Sequence, residues 1–600
     1  MKSAIIVILT FTGVALLWPT QAQPPTDELQ FPYPAQAQMV LMLSGLDRLQ
    51  ERIDKLADTM AVRQRERWRQ NLSKQLESLL KGRDASVLRR DARLYFVIHD
   101  LGEDLSNPHW SLLLPVRSHR DFRLSFLTLE ERQSRTKEGK GIEAFRCTLL
   151  NDEPQTVYLV DLPDYVAVCS ERVVAEVYAG EYTRGSTRVL GPRLTEAFLR
   201  SDVAFYLNLE GLVQRYANEL RALKGLLDFA LRRAGQEIPG LSEAEAELIK
   251  KMLLGLFQAL EDSQAAVLTL NLEPGGLDLH LQIRFGENTA SSKVLASETG
   301  LAAAEIGQLP AGMPYYYAFA AQGQIGALML QDRTRFQAAD KDAPGQRLLQ
   351  LHLDDLRQAD LQSWRGCLRF PLSGLEVLRY RDADKALRAW VKLYKVLGAG
   401  AHIPGARLKM APGVRENAVQ HRGFSFTEVR LHHDDEHWLE DAPEAQKEVI
   451  RPFIHQLYPE RVTLWIGLIE KNKRREIVHL WGRDWDSVSP WLDSYLDGKH
   501  TLSSRPEFSS LRPLWGEHSN GFIVDLQPLI PAINELFRMI ANVEEELPVS
   551  RIKLKQLSSP APLLWSYMCQ EEIFSMRVHF SAQAFGVLLQ LLEQASKEFD

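Results

Sequence analysis

Apolar and polar positions along this chain predict one series of strands and helices that occurs twice. The first series begins with a strand at Leu112–Val116 and a helix at Ser118–Leu129. It continues with a three-strand meander and a short helix, at Ile142–Leu150, Thr156–Leu162, Tyr165–Cys169 and Glu171–Tyr178. The second series consists of Leu375–Tyr380, Ala383–Leu397, Phe424–Leu431, Val462–Ile469, Ile477–Trp481 and a helix that ends at Gly498. The shared order predicts an internal duplication.

Each series leads into a further apolar strand, then helices, then a β-hairpin. These strands are Val203–Leu209 and Phe522–Leu526. The first copy carries a long helical insert, Gly211–Asp262, turned at Ile238–Gly240. In its second helix an apolar stripe predicts a buried face, formed by Ile249, Met252, Leu253, Leu256, Phe257 and Leu260.

These patterns predict an α+β protein of two duplicated lobes, each an antiparallel sheet covered by helices. We expect lobe 1 at residues 90–300, with a helical-hairpin insert at 211–262, and lobe 2 at 301–600. An N-terminal helical segment at 35–85 precedes them, because Gln36–Lys81 carries apolar residues at helical spacing. That stripe docks either on the protein's own lobe or on a partner helix.

Three stretches resemble large exported bacterial proteins that are known only as families of unknown function. They are Asp382–Leu397, Trp481–Gly498 and Ala266–Phe285, and the resemblance covers about residues 90–600. It implies export and a duplicated fold, and it brings no catalytic residues with it.

The N-terminus predicts a cleaved secretory signal at residues 1–22. Lys2 gives a positive start, Ala4–Leu17 is apolar but short for a bilayer span, and Thr20 and Ala22 suit cleavage before Gln23. An uncleaved anchor is the alternative.

Residues 23–34 are rich in Pro and Gln and predict a disordered linker. No later segment is apolar enough to cross a membrane. The protein is therefore expected to be exported to the periplasm or beyond, and not to be an integral membrane protein after signal removal.

Composition narrows the partner classes. The net charge of −7 and the pI near 6.2 do not favour nucleic-acid binding, which needs a basic face.

The four cysteines form no CxxC pair. Cys147 and Cys169 are predicted on the outer strands of the meander, about 9.5 Å apart across one intervening strand. That separation exceeds disulfide reach, so buried free thiols are expected.

Standard catalytic motifs are absent from the sequence. It has no GxSxG, HExxH, P-loop or GxGxxG signature. The segment Gly516–Gly521 is better explained as a turn than as a serine elbow, because it precedes a strand. No catalytic residue and no cofactor is predicted, and the chain is expected not to be an enzyme.

The densest polar group follows strand Phe424–Leu431. His433, His437 and Asp435 offer imidazole and carboxylate ligands that suit zinc, and the two histidines would share a face if this segment were helical. Carboxylates at the end of a strand are also typical of a solvated loop, and this interpretation is favoured.

Tryptophan is frequent between Val462 and Trp515. Exposed aromatic rings can stack on sugars or hold a partner, whereas core packing accounts for most rings on predicted strands and helix faces. Trp485 is the ring that core packing explains least, and it is the candidate binding residue.

Together these features predict an exported, non-catalytic binding or scaffold protein of the bacterial envelope. Its partner would be an envelope protein or an apolar ligand. Two alternatives stay open. One is a hydrolase whose site is assembled from dispersed residues. The other is a hydrophobic-ligand carrier with an apolar cleft between helices and sheet. Binding is expected to involve the helical insert, the Trp-bearing span, or the seam between the lobes.

Overall fold

The computed structural model describes residues 30–59, 83–102, 107–139, 141–148, 154–182, 184–186, 190–237, 243–326, 336–338, 344–404, 406–439, 447–448, 451–452, 454–455, 458–516, 518–543 and 553–599. The chain divides into two compact units. Unit 1 takes its residues from Met1–Lys293 and Glu571–Ser575, and unit 2 from Val294–Gln570 and Met576–Asp600. The whole predicted signal at residues 1–22 and residues 23–29 of the predicted linker lie outside the described residues.

Unit 1 contains both strands and helices. Its strands are β1 (Gln30–Pro34), β2 (Met39–Leu43), β3 (Leu94–Asp100), β4 (His109–Pro115), β5 (Thr136–Gly139), β6 (Ile142–Cys147), β7 (Gln155–Asp161), β8 (Tyr165–Cys169), β9 (Arg184–Ser186), β10 (Val203–Asn208), β11 (Ser263–Glu273) and β12 (Gly276–Phe285). Its helices are α1 (Leu46–Asp58), α2 (His119–Asp121, continued by a π-helical turn, Phe122–Phe126), α3 (Leu129–Gln133), α4 (Arg172–Ala179), α5 (Pro192–Arg200), α6 (Leu209–Arg215), α7 (Ala217–Glu237) and α8 (Glu243–Asp262).

The remaining elements belong wholly or mainly to unit 2. The strands are β13 (Tyr315–Ala320), β14 (Leu361–Arg369), β15 (Ser373–Tyr380), β16 (His402–Ile403), β17 (Ala406–Arg407), β18 (Gly413–His421), β19 (Phe424–His432), β20 (Arg461–Lys471), β21 (Arg474–Gly482), β22 (Asn520–Asp525), β23 (Pro562–Gln570) and β24 (Ile573–Ser581). The helices are α9 (Ala290–Ser297), α10 (Ala303–Gly307), α11 (Pro344–Gln358), α12 (Ala383–Val396), α13 (Trp485–Asp497), α14 (Pro506–Trp515), α15 (Ile530–Val543) and α16 (Ala582–Phe599).

The sheet of each unit is antiparallel throughout its described pairings. In unit 1 the order is β5-β6-β7-β8-β4-β3-β2-β10-β11-β12. In unit 2 the order is β18-β19-β20-β21-β15-β14-β13-β22-β23. Helices and antiparallel strands together make the protein α+β, as the sequence predicts.

Several helices begin or end at the capping residues that the sequence predicts. The Asp382 carboxylate accepts a hydrogen bond from the Lys385 N–H at the start of α12. The helix α13 ends at Gly498, whose φ of 65° lies in the left-handed region that glycine adopts without strain. These caps act within a few residues, so they are readable without knowledge of the fold.

The N-terminal segment differs from its prediction. Met39–Leu43, predicted as helix, is strand β2, and Gln30–Pro34, predicted as linker, is strand β1. The strand β2 pairs with β3 and β10, so its run of apolar residues is buried without alternating. The strand β1 is held by Phe31 and Tyr33, both buried in the core of unit 1. The predicted helix is seen only as α1, and residues 60–82 lie outside the described part of the chain.

The stripe on α1 packs inside unit 1. Its buried residues are Leu49, Ile53, Leu56 and Ala57. The helix contacts β11. This apolar face is therefore used by the protein's own fold.

The helical insert exposes more apolar side chains to solvent than the sequence predicts. The helix α7 packs on α8, with Lys224 bonded to Glu261 across the pair. Leu256, predicted as buried, is 65% exposed, and Leu223, Leu226 and Phe229 on α7 are exposed as well. Of the predicted stripe, Leu253, Phe257 and Leu260 are half-buried, and the side chains of Ile249 and Met252 lie outside the described residues.

Two further predictions can be compared with the described residues. Cys147 ends β6 and Cys169 ends β8, with β7 between them, and both thiols are buried and form no disulfide within the described residues. The predicted strand order is confirmed, and burial raises the pKa of the Cys169 thiol. Within the described residues, no helix combines the length and apolarity needed to cross a bilayer.

Candidate ligand-binding pocket

A small aromatic pocket lies in unit 2 between the sheet and α12. The helix packs over β15 and β21, and these strands are neighbours in the sheet, with β14 beyond β15. The pocket encloses about 90 Å³. Its lining residues are Phe336, Leu361, Trp364, Glu376, Leu378, Tyr380, Trp390, Tyr394, Ile403, Pro404, His479 and Trp481.

Strand alternation places the lining residues on one face of the sheet. Glu376 on β15 lies directly opposite His479 on β21, and Trp364 on β14 lies opposite Leu378. The intervening residues, such as Val377, point to the other face and belong to the main core of unit 2. A shift of one residue in the strand pairing would turn these side chains to the other face of the sheet. The pocket therefore depends on strand register as well as on residue type.

Aromatic rings form the wall on the helix side. Trp390 and Tyr394, one turn apart on α12, stack with ring centroids 6.2 Å apart. Phe336 meets both rings edge-on at 6.0 Å. Trp390 Nε1 donates to the Tyr380 hydroxyl at 3.1 Å, so the indole is fixed in orientation. Burial raises the pKa of Tyr380, which keeps this phenol neutral.

A buried carboxylate forms the polar floor of the pocket. Glu376 is 3% exposed. The Tyr317 hydroxyl donates to its Oε1 at 2.5 Å, and Trp481 Nε1 donates to its Oε2 at 3.3 Å. His479 Nδ1 lies 3.6 Å from the same Oε2. Both oxygens of this carboxyl group therefore act as hydrogen-bond acceptors inside the protein.

His479 is the second buried polar group in the pocket. It is 3% exposed and meets Trp390 edge-to-face at 5.0 Å. Its Nε2 has no hydrogen-bond partner in the part of the chain that the structure describes. A buried polar atom without a partner costs about 1–3 kcal/mol, so such an atom in a cavity wall suits a group that meets a ligand.

The two histidines of the candidate metal site lie in different local backbone, and the side chain of the third candidate, Asp435, lies outside the described residues. The His433 N–H donates to the Glu460 carbonyl beyond the end of β19, and burial lowers the pKa of its imidazole. The short 3₁₀ turn Asp435–Leu439 begins two residues later, so His433 and His437 do not share a helix face. The His437 ring instead contacts His402 at 5.1 Å. Among the described residues, no three His, Cys, Asp or Glu side chains converge as metal ligands.

Trp485 lies away from the pocket. It is the first residue of α13 and packs on Phe426 and Trp465, with centroid distances of 5.0 and 5.7 Å. His421 meets the same indole at 5.5 Å. These contacts place Trp485 at the edge of the core of unit 2. Packing within the protein accounts for this side chain without a ligand.

A serine–histidine contact in unit 1 bears on the hydrolase alternative. Ser111 Oγ lies 2.8 Å from His99 Nε2 and 2.8 Å from the Tyr178 hydroxyl. Ser111 is 0% exposed on β4, between β3 and β8. Burial lowers the pKa of His99 to about 4, and His109 adds to this effect. A nucleophile must reach a substrate, so this buried trio is better explained as a polar link inside the core.

Another buried network lies on the face of the sheet opposite the pocket. Arg365 Nη2 donates to Glu476 Oε1 and to the Tyr495 hydroxyl, both at 2.7 Å, and its Nη1 lies 3.2 Å from Glu305. Tyr495 donates to Glu476 Oε2 at 2.6 Å. The Lys471 amine stands 3.7 Å from the centre of the Tyr495 ring, and burial lowers its pKa to about 8. Arg365, Glu476 and Tyr495 bond to one another, so this network joins β14 and β21 to the helix α13.

Sequence reasoning missed the pocket, although two signals were present. Glu376 lies between the apolar residues Leu375 and Val377 of a predicted strand, and a carboxylate on a buried face needs a partner. Trp481 belongs to the tryptophan-rich span, where the strand pattern favours core packing. It is half-buried and lies on the solvent side of the pocket, together with Leu361 and Pro404.

Comparison of the chain with protein-family models, curated proteins and solved structures finds no significant match.

Proposed function

We propose that the chain is an exported, non-catalytic protein of the bacterial envelope that binds a small ligand in the aromatic pocket of unit 2. The observation that carries this proposal is the convergence of aromatic walls on two buried polar groups, Glu376 and the unpartnered Nε2 of His479. Ligand sites are typically apolar cavities with a few placed polar groups.

The lining of the pocket favours binding over chemistry. Within the described part of the chain, the lining contains no serine, threonine, cysteine or lysine that could act as a nucleophile. Glu376, the candidate base, already accepts hydrogen bonds from Tyr317 and Trp481. These contacts support the binding interpretation over the hydrolase alternative.

The size of the pocket limits the ligand. Its 90 Å³ is smaller than the apolar cavity of about 150 Å³ that is known to admit benzene. A small molecule or the head of a larger one suits this volume, whereas a long acyl chain does not. If the protein is a hydrophobic-ligand carrier, the ligand that this pocket holds is therefore compact.

We further propose that the two units arose by duplication. Nine strands in each unit follow the same antiparallel order, from β5 to β11 in unit 1 and from β18 to β23 in unit 2. The helix after the last meander strand also supplies a buried tyrosine to the equivalent strand in both units. Tyr178 contacts His99 on β3, and Tyr495 contacts Arg365 on β14. The equivalent of the long helix α12 in unit 1 is the short α2, which supports ligand binding as a specialisation of unit 2.

Export is tested by the N-terminus of the protein from its native host. Cleavage before Gln23 is expected, because small residues at Thr20 and Ala22 follow the apolar run. Edman sequencing of protein from periplasmic and cytosolic fractions is the measurement. A cytosolic chain that begins at Met1 or Lys2 would contradict this part of the proposal.

Ligand binding is tested by saturation-transfer NMR with a panel of small neutral aromatics, branched alcohols and organic ammonium ions. At least one compound is expected to bind the wild type and to lose binding in Leu361→Trp, which fills the solvent side of the pocket. Trp491→Phe is the matched control, because Trp491 stacks under Arg369 outside the pocket. A panel that shows no binding, or binding unchanged by Leu361→Trp, would refute the proposal. Ester or glycoside hydrolysis that disappears in Glu376→Gln would show an enzyme instead.

A further inference from the structure

We infer that the pocket of unit 2 takes a quaternary ammonium group, a small organic cation with no N–H. This inference rests on the proposed function and names the ligand class for that site. Charge, ring geometry and hydrogen-bond supply each point to this chemistry.

The charge of the pocket is the first argument. Glu376 is a buried carboxylate with His479 Nδ1 3.6 Å away, and among the described residues the lining includes neither arginine nor lysine. Arg365, next to Trp364 on β14, points to the opposite face, where Glu476 and Glu305 bind it. A buried carboxylate is stabilised by a nearby cation, since hydrogen bonds alone offset only part of its lost hydration. A cationic ligand would supply that charge.

The aromatic walls are the second argument. Rings of three tryptophans, two tyrosines and one phenylalanine line the cavity, and these are Trp364, Trp390, Trp481, Tyr380, Tyr394 and Phe336. The face of an aromatic ring attracts a cation within about 6 Å of its centroid, and tryptophan does so most strongly. Rings on several sides of a small cavity surround a bound ion with such faces.

The third argument is that the hydrogen-bond acceptors of the pocket favour a quaternary over a primary ammonium ion. A primary ammonium carries three donors and needs an acceptor for each. Both oxygens of Glu376 already accept hydrogen bonds, from Tyr317 and Trp481. A quaternary ammonium has no N–H, so it gains the charge of Glu376 and the ring faces without displacing either bond. The unpartnered His479 Nε2 then remains to meet a hydroxyl carried by the ligand.

Isothermal titration calorimetry with choline and its neutral isostere 3,3-dimethylbutan-1-ol tests the inference. The two molecules have nearly the same shape and hydroxyl group, so their comparison isolates the charge. Choline is expected to bind the wild type at least about tenfold more tightly than the isostere, as a desolvated cation–π site provides. Glu376→Gln is expected to weaken choline binding by about tenfold or more, so that the preference for choline over the isostere is lost. Trp491→Phe, which lies outside the pocket, is expected to keep that preference, and circular dichroism shows whether each variant is folded.

The outcomes separate this inference from the proposed function. If the isostere or another neutral compound binds as tightly as choline, the pocket binds a ligand but the cation class is wrong. If choline binds equally to wild type and Leu361→Trp, the cation is held elsewhere and the inference is wrong. If no compound in the panel binds, the proposed function fails as well. The comparison of choline with its isostere needs only the wild type, so it decides the matter even if Glu376→Gln does not fold.

Discussion

Replacement of Arg365 with alanine is expected to destabilise unit 2 by about 3–5 kcal/mol, the usual effect of removing one partner from a buried ion pair. Arg365 is fully buried, and it holds Glu476, Glu305 and Tyr495 together across β14, β21, α10 and α13. Without the guanidinium, Glu476 would be a buried carboxylate with the Tyr495 hydroxyl as its described hydrogen-bond donor. Nearby acidic groups raise the pKa of Arg365 despite its burial, so the charge is present in the folded state throughout the accessible pH range.

Two variants control for this result. Arg475→Ala removes an exposed ion pair with Asp384 and is expected to change stability by less than about 1 kcal/mol. The double variant Arg365→Met, Glu476→Leu removes both buried charges and is expected to recover much of the loss, because no charge is left without a partner. Hydrogen exchange of peptides from β14 and β21 measures unit 2 directly, since a chain of two units need not unfold in one step. Protection in Arg365→Ala equal to that in Arg475→Ala would show that the network contributes little.

The elements that the sequence predicts well are those whose signals are local. Asp382 and Gly498 act on backbone groups within three residues, so the ends of α12 and α13 follow directly from residue type. The meander strands are likewise short apolar runs joined by short connections. By contrast, β2 is recognisable as a strand only with its partners β3 and β10, and β10 lies about 160 residues away in the chain. Its apolar run fits a buried helix as well as a buried strand.

The candidate site depends on strand register, which the sequence does not specify. Glu376 and His479 meet because β15 pairs with β21, more than 90 residues further along the chain. His433 and His437 show the opposite case, in which neighbours in sequence are separated by the local backbone. The chain leaves its strand at His432 and turns at Asp435, so the two imidazoles face different surroundings. Proximity in the sequence therefore does not indicate which residues share a site, and His479 has no other histidine near it in the sequence of its strand.

Acidification from pH 6.5 to 4 is expected to remove roughly 3 kcal/mol of stability from unit 2 through His579 alone, at 1.36 kcal/mol for each pKa unit. His579 on β24 is 4% exposed, and its Nδ1 has no hydrogen-bond partner among the described residues. Burial, with a smaller effect from Arg577, lowers the pKa of this imidazole from 6.5 to about 4. Between these values the unfolded chain binds a proton that the folded chain does not. The contribution of neutral His579 to the free energy of unfolding is therefore fully present above pH 6.5 and is lost as the pH falls to 4.

The effect is measured by urea unfolding of the wild type and His579→Gln at several pH values between 4 and 7. The difference in stability between the two proteins is expected to change by about 3 kcal/mol across this range, because glutamine does not titrate. Carboxylates such as Glu131 and the other histidines whose pKa burial lowers, His99 and His433, also respond to acid, but they are present in both proteins and cancel in the difference. His518→Gln, at an exposed position, controls for the substitution itself. A wild-type minus His579→Gln difference that stays constant from pH 7 to 4 would mean that His579 takes up its proton equally in the folded and unfolded chains.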